Sequence, residues 1–189
     1  MVKNVREEPG SLSEDWLKVG VELFSKEGNP HMEAAMLSRA LGRSSTEFYR
    51  LFKDEEYFLY RMVEYWRKVK TTRIIESFAK LSYKARLEKL VDMVFADRSL
   101  HDFLFYLRKQ AQKDGKLATL LADIEEERID STRHIFNGLG FGVKEIDLKG
   151  ELLYSFYLGW YERYKYQPFT PALRKQVLEQ IEYLVGIGD

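Results

Sequence analysis

The chain has 189 residues, of which 45% are hydrophobic and 32% charged, so it can bury a core and is too apolar to remain disordered. Its 30 basic and 30 acidic side chains give a formal net charge of zero, which excludes a protein held to nucleic acid by bulk charge alone. Cysteine is absent, which excludes disulfides, thiolate metal sites and cysteine nucleophiles. The sequence has neither a long apolar run nor an N-terminal apolar segment typical of a secretory signal, so we expect a cytoplasmic protein.

Apolar residues recur with helical rather than alternating spacing, which predicts an all-α protein of about nine helices. We expect these helices over 13–27, 32–41, 45–52, 54–82, 84–97, 98–113, 116–137, 147–166 and 171–185. Ser44 and Glu47 have capping-box spacing, and Gly42 suits the left-handed conformation of a helix end. N-cap residue types open three of the later helices, at Asp54, Asp147 and Thr170.

The second and third predicted helices have the layout of a helix-turn-helix motif. This motif needs two short helices at a steep angle and a tight turn, so that the second helix can enter the major groove of DNA. Here the turn is Gly42-Arg43-Ser44. Apolar residues on both helices are placed to hold them together, at Leu37, Leu41, Phe48 and Phe52.

With this motif the chain resembles the TetR family of transcriptional regulators, over residues 16–59 and without gaps. Phe24-Ser25-Lys26-Glu27-Gly28 is similar to the end of the family's first helix, and Leu37-Ser38 stands where the family has Ile-Ala. Gly42 and Ser44 stand at the family's Gly-Val-Ser turn. Its Tyr-x-x-Phe-x-x-Lys-Glu-x-Leu string is matched by Tyr49, Phe52, Glu56 and Phe58. The resemblance implies a helix-turn-helix head over 1–53, a linking helix over 54–82, and a ligand-binding and dimerisation domain over 83–189.

The resemblance also implies that the turn and the third helix contact double-stranded operator DNA. The expected contacts are groove-facing hydroxyls, a phosphate-binding tyrosine, an arginine at guanine and two cations near the backbone, from Ser44, Ser45, Thr46, Tyr49, Arg50, Arg43 and Lys53. The residues alone leave a simpler interpretation open. Ser44 and Glu47 would then only cap the helix, and Arg50 and Lys53 would belong to an ordinary solvated face.

The chain departs from the family pattern at several positions, and Glu33, Glu55 and the neutral head favour a module of this fold that binds no operator DNA. Arg43 replaces the usual valine of the turn, and Met32-Glu33 replaces the Thr or Ser that opens the second helix. Glu55 stands near a lysine that in the family faces phosphate, where a carboxylate would repel it. Residues 1–70 hold 12 basic and 12 acidic side chains, so this region is neutral.

The C-terminal helices are expected to form a homodimer. The predicted helix 147–166 is apolar on all sides, so one side needs cover from its own domain and another from a partner. The expected interface residues are Tyr154, Tyr157, Tyr161, Leu173, Val177, Ile181 and Leu184. The alternative is that these side chains are the core of a single chain.

Aromatic and aliphatic residues of the middle helices are expected to line a pocket for an apolar or aromatic small molecule, at Phe95, Phe103, Tyr106, Leu107, Leu121 and Phe136. For each of them, ordinary core packing is the competing interpretation. We find no motif for catalysis, a metal or a cofactor, and the acidic run Asp123–Asp130 is typical of a solvated helix face.

These observations predict a transcriptional regulator, not an enzyme. We expect a homodimeric repressor that a small molecule releases from its operator. The alternative is a dimeric small-molecule- or protein-binding module of the same fold without operator binding.

Overall fold

The computed structural model describes residues 9–78, 80–99, 102–137 and 139–186, with side chains from residue 12 onward. Over these ranges the protein is all-helical, and the predicted fold class is confirmed. Residues 1–8, on which the expectation of no secretory signal rests, lie outside the described part. So do residues 100 and 101 of the predicted helix 98–113 and the loop residue Gly138.

The described ranges contain nine helical rods, two of which include a π-helical turn. They are α1 (Pro9–Glu27), α2 (Ala34–Leu41), α3 (Ser45–Leu51), α4 (Glu55–Arg67) continuing through the π-helical turn Lys68–Thr72 into α5 (Arg73–Glu76), α6 (Tyr83–Leu90) continuing into the π-helical turn Val91–Phe95, α7 (Phe103–Ala111), α8 (Gly115–Phe136), α9 (Val143–Tyr164) and α10 (Pro171–Val185). Among these helices none is long and apolar enough to span a membrane.

Side-chain caps fix the start of several helices, as the sequence predicted. The Ser44 hydroxyl accepts a hydrogen bond from the Glu47 N–H at 3.3 Å, and the Asp54 carboxylate accepts one from the Tyr57 N–H at 2.7 Å. The prediction that Asp147 caps α9 is wrong. That helix begins at Val143, because the Gly142 carbonyl already accepts the first two helical hydrogen bonds at 3.0 Å.

The chain divides into two compact units. The first contains the described residues through Lys68 together with Asp102–Leu121, and therefore α1–α4, α7 and the start of α8. Its core is aromatic: Phe103 of α7 stacks on Trp66 at 4.4 Å between ring centroids and meets Phe24 edge-on at 5.0 Å. This unit extends beyond the head predicted over 1–53, because the rings of α7 pack against α1 and α4.

The second unit contains Val69–His101 and Ala122–Asp189, and its core joins α6, α8, α9 and α10. Phe95 and Trp160 pack edge-on at 5.1 Å between ring centroids. Arg98 lies within 5.3–5.6 Å of three rings, those of Trp160, Tyr161 and Phe169, and donates to the Phe95 carbonyl at 2.5 Å. The last helix adds the aliphatic residues Leu173, Val177, Ile181 and Val185 to this core.

Candidate functional site

The segment α2–turn–α3 forms a compact corner in the first unit. Gly42 ends α2 in the left-handed conformation (φ 65°, ψ 30°), and the Arg43 N–H reaches back to the Ser38 carbonyl at 3.0 Å. This pattern is that of a Schellman helix end. The turn then spans only residues 42–44 before α3 begins, so the two helices leave the corner in different directions.

One face of α3 holds the corner in place. Phe48 is fully buried; its ring meets Trp16 edge-on at 5.5 Å and packs at a tilt against Phe58 at 5.2 Å between ring centroids. The hydroxyls of Ser38 and Ser45 are 3.1 Å apart and link α2 to α3. Ser45, predicted to present its hydroxyl to DNA, therefore uses it within the corner.

The opposite face of α3 is exposed. It presents Thr46, Tyr49 and Arg50, with Lys53 immediately after the helix, and the Tyr49 side chain is 51% accessible. Within the described part of the chain no carboxylate pairs with Arg50. Lys53 has only a loose contact with Asp54, at 3.9 Å. Four of the seven predicted DNA-contacting residues thus share one solvent-facing surface.

Two other predicted DNA contacts have structural roles. Arg43 is half-buried and bridges two carboxylates, that of Asp15 at 3.0 Å and that of Glu47 at 2.9 Å. This explains the departure from valine in the turn, since the guanidinium joins α1 to α3. Ser44 is the N-cap of α3.

Tyr49 and Glu55 form the most distinctive contact on this surface. The Tyr49 hydroxyl donates to the Glu55 carboxylate at 2.5 Å. This bond raises the pKa of Tyr49 and lowers the pKa of Glu55. Partial burial of the Glu55 carboxylate opposes the lowering, and backbone hydrogen bonds from Glu55 itself and from Ala34 support it. Ala34 is the first residue of α2, so this carboxylate accepts hydrogen bonds from two groups that are suited to an anion.

The six predicted pocket residues are divided between the two units. Phe103, Tyr106, Leu107 and Leu121 belong to the first unit, and Phe95 and Phe136 to the second. Phe103 and Leu107 are fully buried core residues, and the Tyr106 ring packs over Gly28. Helical spacing alone does not reveal that these residues belong to different units.

A cavity that is partly open to solvent lies in the second unit. Among the predicted pocket residues, Phe95 lines it. The sequence interpretation missed the polar lining residues, chiefly Lys70, Thr71, Arg128 and Thr132, and also apolar ones such as Phe78. The sequence does show that Arg128, Ser131 and Thr132 share one face of a long helix, which could have indicated a polar wall. It does not show the π-helical turn that brings Lys70 and Thr71 to the same cavity.

The predicted dimer stripe on α10 is used within the chain. Val177 and Ile181 are fully buried in the core of the second unit, and Leu173 and Tyr154 are nearly so. Tyr157 and Tyr161 pack partly buried against that core, and Leu184 is half-buried. The competing interpretation, that this stripe is the core of a single chain, applies to the buried residues.

Other apolar positions on α9 face solvent. Leu148 is 61% and Leu152 46% accessible, and Ser155 and Gly159 continue the same exposed line at steps of four, three and four residues. A Cβ atom added at Gly159 would meet nothing within 4 Å. On α10, Tyr183 is 90% accessible. These residues are available to a partner.

No family model matches this chain, and a search of curated proteins finds no significantly similar sequence. The described residues contain no cluster of His, Asp and Glu that could hold a metal ion. Within the acidic run 123–130, Glu126 and Asp130 instead pair with Arg133 at 2.8 and 2.6 Å.

Proposed function

We propose that this protein is a homodimeric DNA-binding regulator, a repressor that a small molecule releases from its operator. The observation that carries the proposal is the α2–turn–α3 corner. Its inner face is fixed by Phe48 and by the Ser38–Ser45 bond, while its outer face presents Thr46, Tyr49 and Arg50. A short helix fixed in this way, with its polar side free, is what reading a major groove requires.

In this proposal Arg50 supplies base recognition, because its guanidinium is exposed and a planar guanidinium can bond guanine through two donors. Lys53 supplies a phosphate contact. Tyr49 bonds a phosphate only when its hydroxyl exchanges the Glu55 carboxylate for the phosphate. Since the head carries little net charge, the affinity for DNA depends on these few contacts and on their repetition in the second subunit of the dimer.

The cavity of the second unit is the proposed effector site. Both π-helical turns contribute to its wall, Lys70 and Thr71 from the first and Val94 and Phe95 from the second. Such turns occur often at functional sites. The chain passes from one unit to the other within the first turn, between Lys68 and Val69. The turn that lines the cavity is therefore continuous with α4. A ligand that favours one geometry of this turn shifts the equilibrium between the DNA-binding and the non-binding state by its difference in affinity for the two.

The exposed stripe of α9 is the proposed dimer surface. Leu148, Leu152, Ser155 and Gly159 follow the alternating steps of a helix that packs against another helix, and Gly159 allows a close approach. We expect Leu152→Lys to convert the protein to a monomer in light scattering at micromolar concentration. Met93→Lys, which places the same charge at another exposed apolar position of this unit, should leave the dimer intact. A monomeric wild-type protein would contradict the proposal.

The test of DNA binding is a salt titration by fluorescence anisotropy. The full chain is mixed with the DNA upstream of its own gene, with duplexes selected from a random pool, and with unselected duplex. We expect sequence-preferring binding that weakens with salt, and a loss of about 1–3 kcal/mol per subunit in Arg50→Ala. Arg61→Ala is the matched control, since Arg61 is an exposed arginine on α4 paired with Glu64. Failure of the pool to yield any preferred duplex would refute DNA binding.

A second candidate function is a dimeric ligand- or protein-binding module of the same fold. The Tyr49–Glu55 contact favours it, because a carboxylate there holds the hydroxyl that would bond a phosphate. In that case the anisotropy experiment finds no preference, while ligand binding in the second unit persists.

A further inference from the structure

The cavity of the second unit is divided into a polar and an apolar end. The polar end is formed by side chains of the π-helical turn and of α8: Lys70, Thr71, Arg128, Ser131 and Thr132. The apolar end is formed by residues of α5, α6, the second π-helical turn and α9, and by Phe78 after α5; they include Ile74, Leu90, Phe95 and Leu153. A ligand that matches both ends must itself be amphipathic.

Hydrogen bonds hold the side chains of the polar end in place. Arg128 Nε donates to Thr71 Oγ1 at 3.0 Å, and Arg128 Nη2 donates to the Lys70 carbonyl at 3.2 Å. These two bonds fix the plane of the guanidinium against the π-helical turn. Thr71, whose hydroxyl accepts from the guanidinium, is only 2% accessible.

The charged side chains that line the cavity are cations. Its residues include two cations, Lys70 and Arg128, and among the described residues that line the cavity there is no carboxylate. Asp97, which pairs with Lys70 Nζ at 2.7 Å, lies outside the lining. The wall itself therefore offers a ligand cationic groups and hydrogen-bond donors, which suit an anionic head better than a cationic one.

The apolar end supplies the binding energy for a tail. Phe95 is fully buried, Leu153 is 1% and Phe78 5% accessible, so this end is walled by the unit's own core. Each methylene group that leaves water for such surroundings strengthens binding by a factor of about four. The gain continues until the cavity is filled.

We infer that the cavity binds an anionic amphiphile, a carboxylate with an aliphatic tail, with the head at Arg128 and the tail toward Phe95 and Leu153. The inference deepens the proposed function, on which it rests for the role of this ligand as effector. Binding itself involves no DNA, so it is measured separately.

The experiment is calorimetric titration of the full chain with straight-chain carboxylates from hexanoate to hexadecanoate, each below its micelle-forming concentration. Alcohols and alkylammonium ions of the same chain lengths are titrated in parallel. The variants are Arg128→Gln and, as control, Arg174→Gln, in which a different arginine of the same unit loses its pairing with Asp92. Circular dichroism and thermal unfolding establish that each variant is folded.

We expect the affinity for carboxylates to rise about fourfold per methylene and then to level off. The alcohols should bind at least tenfold more weakly, and the ammonium ions more weakly still. Arg128→Gln should remove most of the preference for carboxylate over alcohol while keeping the dependence on chain length, and Arg174→Gln should change neither. To cover the case in which Arg128→Gln does not fold, Val94→Trp, at a half-buried lining position, should shorten the longest tail that still gains affinity.

Equal affinity for carboxylates and alcohols, a preference for ammonium ions, or no binding by any member of the series would overturn the inference. If carboxylates bind as expected and no duplex is preferred in the anisotropy experiment, the ligand inference stands and the proposed regulator falls. If DNA is bound with sequence preference and no carboxylate binds, the reverse holds.

Discussion

Replacing Glu55 by glutamine should increase the affinity for operator DNA. The Glu55 carboxylate accepts the Tyr49 hydroxyl at 2.5 Å and also a hydrogen bond from the backbone of Ala34. Its pKa is lowered, chiefly by the bond from Tyr49, so it remains charged at neutral pH. A phosphate approaching the same hydroxyl meets a full negative charge that glutamine lacks.

The size of the effect follows from geometry. Two acceptors sharing one hydroxyl lie about 4–5 Å apart, since each is about 2.7 Å from the hydroxyl oxygen. Two unit charges at about 4 Å in water repel by about 1 kcal/mol, and the water value applies because the carboxylate is at the surface. Removing the charge should therefore raise affinity about fivefold per subunit and about 30-fold for a dimer.

The assay is the same anisotropy titration, performed at several salt concentrations. The gain in Glu55→Gln should shrink as salt rises, because screening weakens the repulsion that the wild type suffers. Glu56→Gln is the matched control: Glu56 is in the same helical turn, but its carboxylate contacts Tyr60 and Lys116. If Glu55→Gln binds no better than wild type, or gains no more than Glu56→Gln, the carboxylate does not compete with phosphate and the reasoning is wrong.

Two further predictions concern stability. Gly28 and Gly42 share a left-handed backbone (φ 63° and 65°), but a Cβ at Gly28 would overlap the Tyr106 ring at 2.1 Å, whereas one at Gly42 meets nothing. In urea unfolding, Gly42→Ala should cost about 1 kcal/mol and Gly28→Ala clearly more; equal costs would contradict the packing argument. Burial raises the pKa of Asp97, but hydrogen bonds from Lys70 and Ser99 outweigh it, so the folded-state pKa is lowered. This stabilisation is present above the ordinary aspartate pKa and is lost as pH falls through the lowered value. In thermal unfolding between pH 7 and pH 3, Asp97→Asn should therefore have a lower melting temperature than wild type at neutral pH. Its melting temperature should also fall less as the pH is lowered. If the melting temperature of the variant falls as much in acid as that of wild type, the role of Asp97 is refuted.

Local signals in the sequence predicted the corner correctly because each is satisfied within a few residues. Gly42 adopts its left-handed conformation, and Ser44, Asp54 and Thr170 cap the helices that they precede. Glu55 was recognisable as a departure from the family pattern, but its bond to Tyr49 was not. That contact depends on the angle at which α4 leaves α3.

The sequence by itself determined that the chain is all-helical, where most helices begin and end, and that α2 and α3 form a tight corner, because hydrophobic period, capping and turn conformation are local properties. Only the tertiary structure decided how apolar stripes are used. It placed Phe103 and Phe95 in different units, buried Val177 and Ile181 inside one chain, and left Leu152 exposed. An apolar stripe indicates that one face of a helix must be buried. The surface that buries it is determined by packing between segments that are far apart in sequence. For the same reason the cavity, assembled from α5, α6, α8, α9 and two π-helical turns, became visible only in three dimensions.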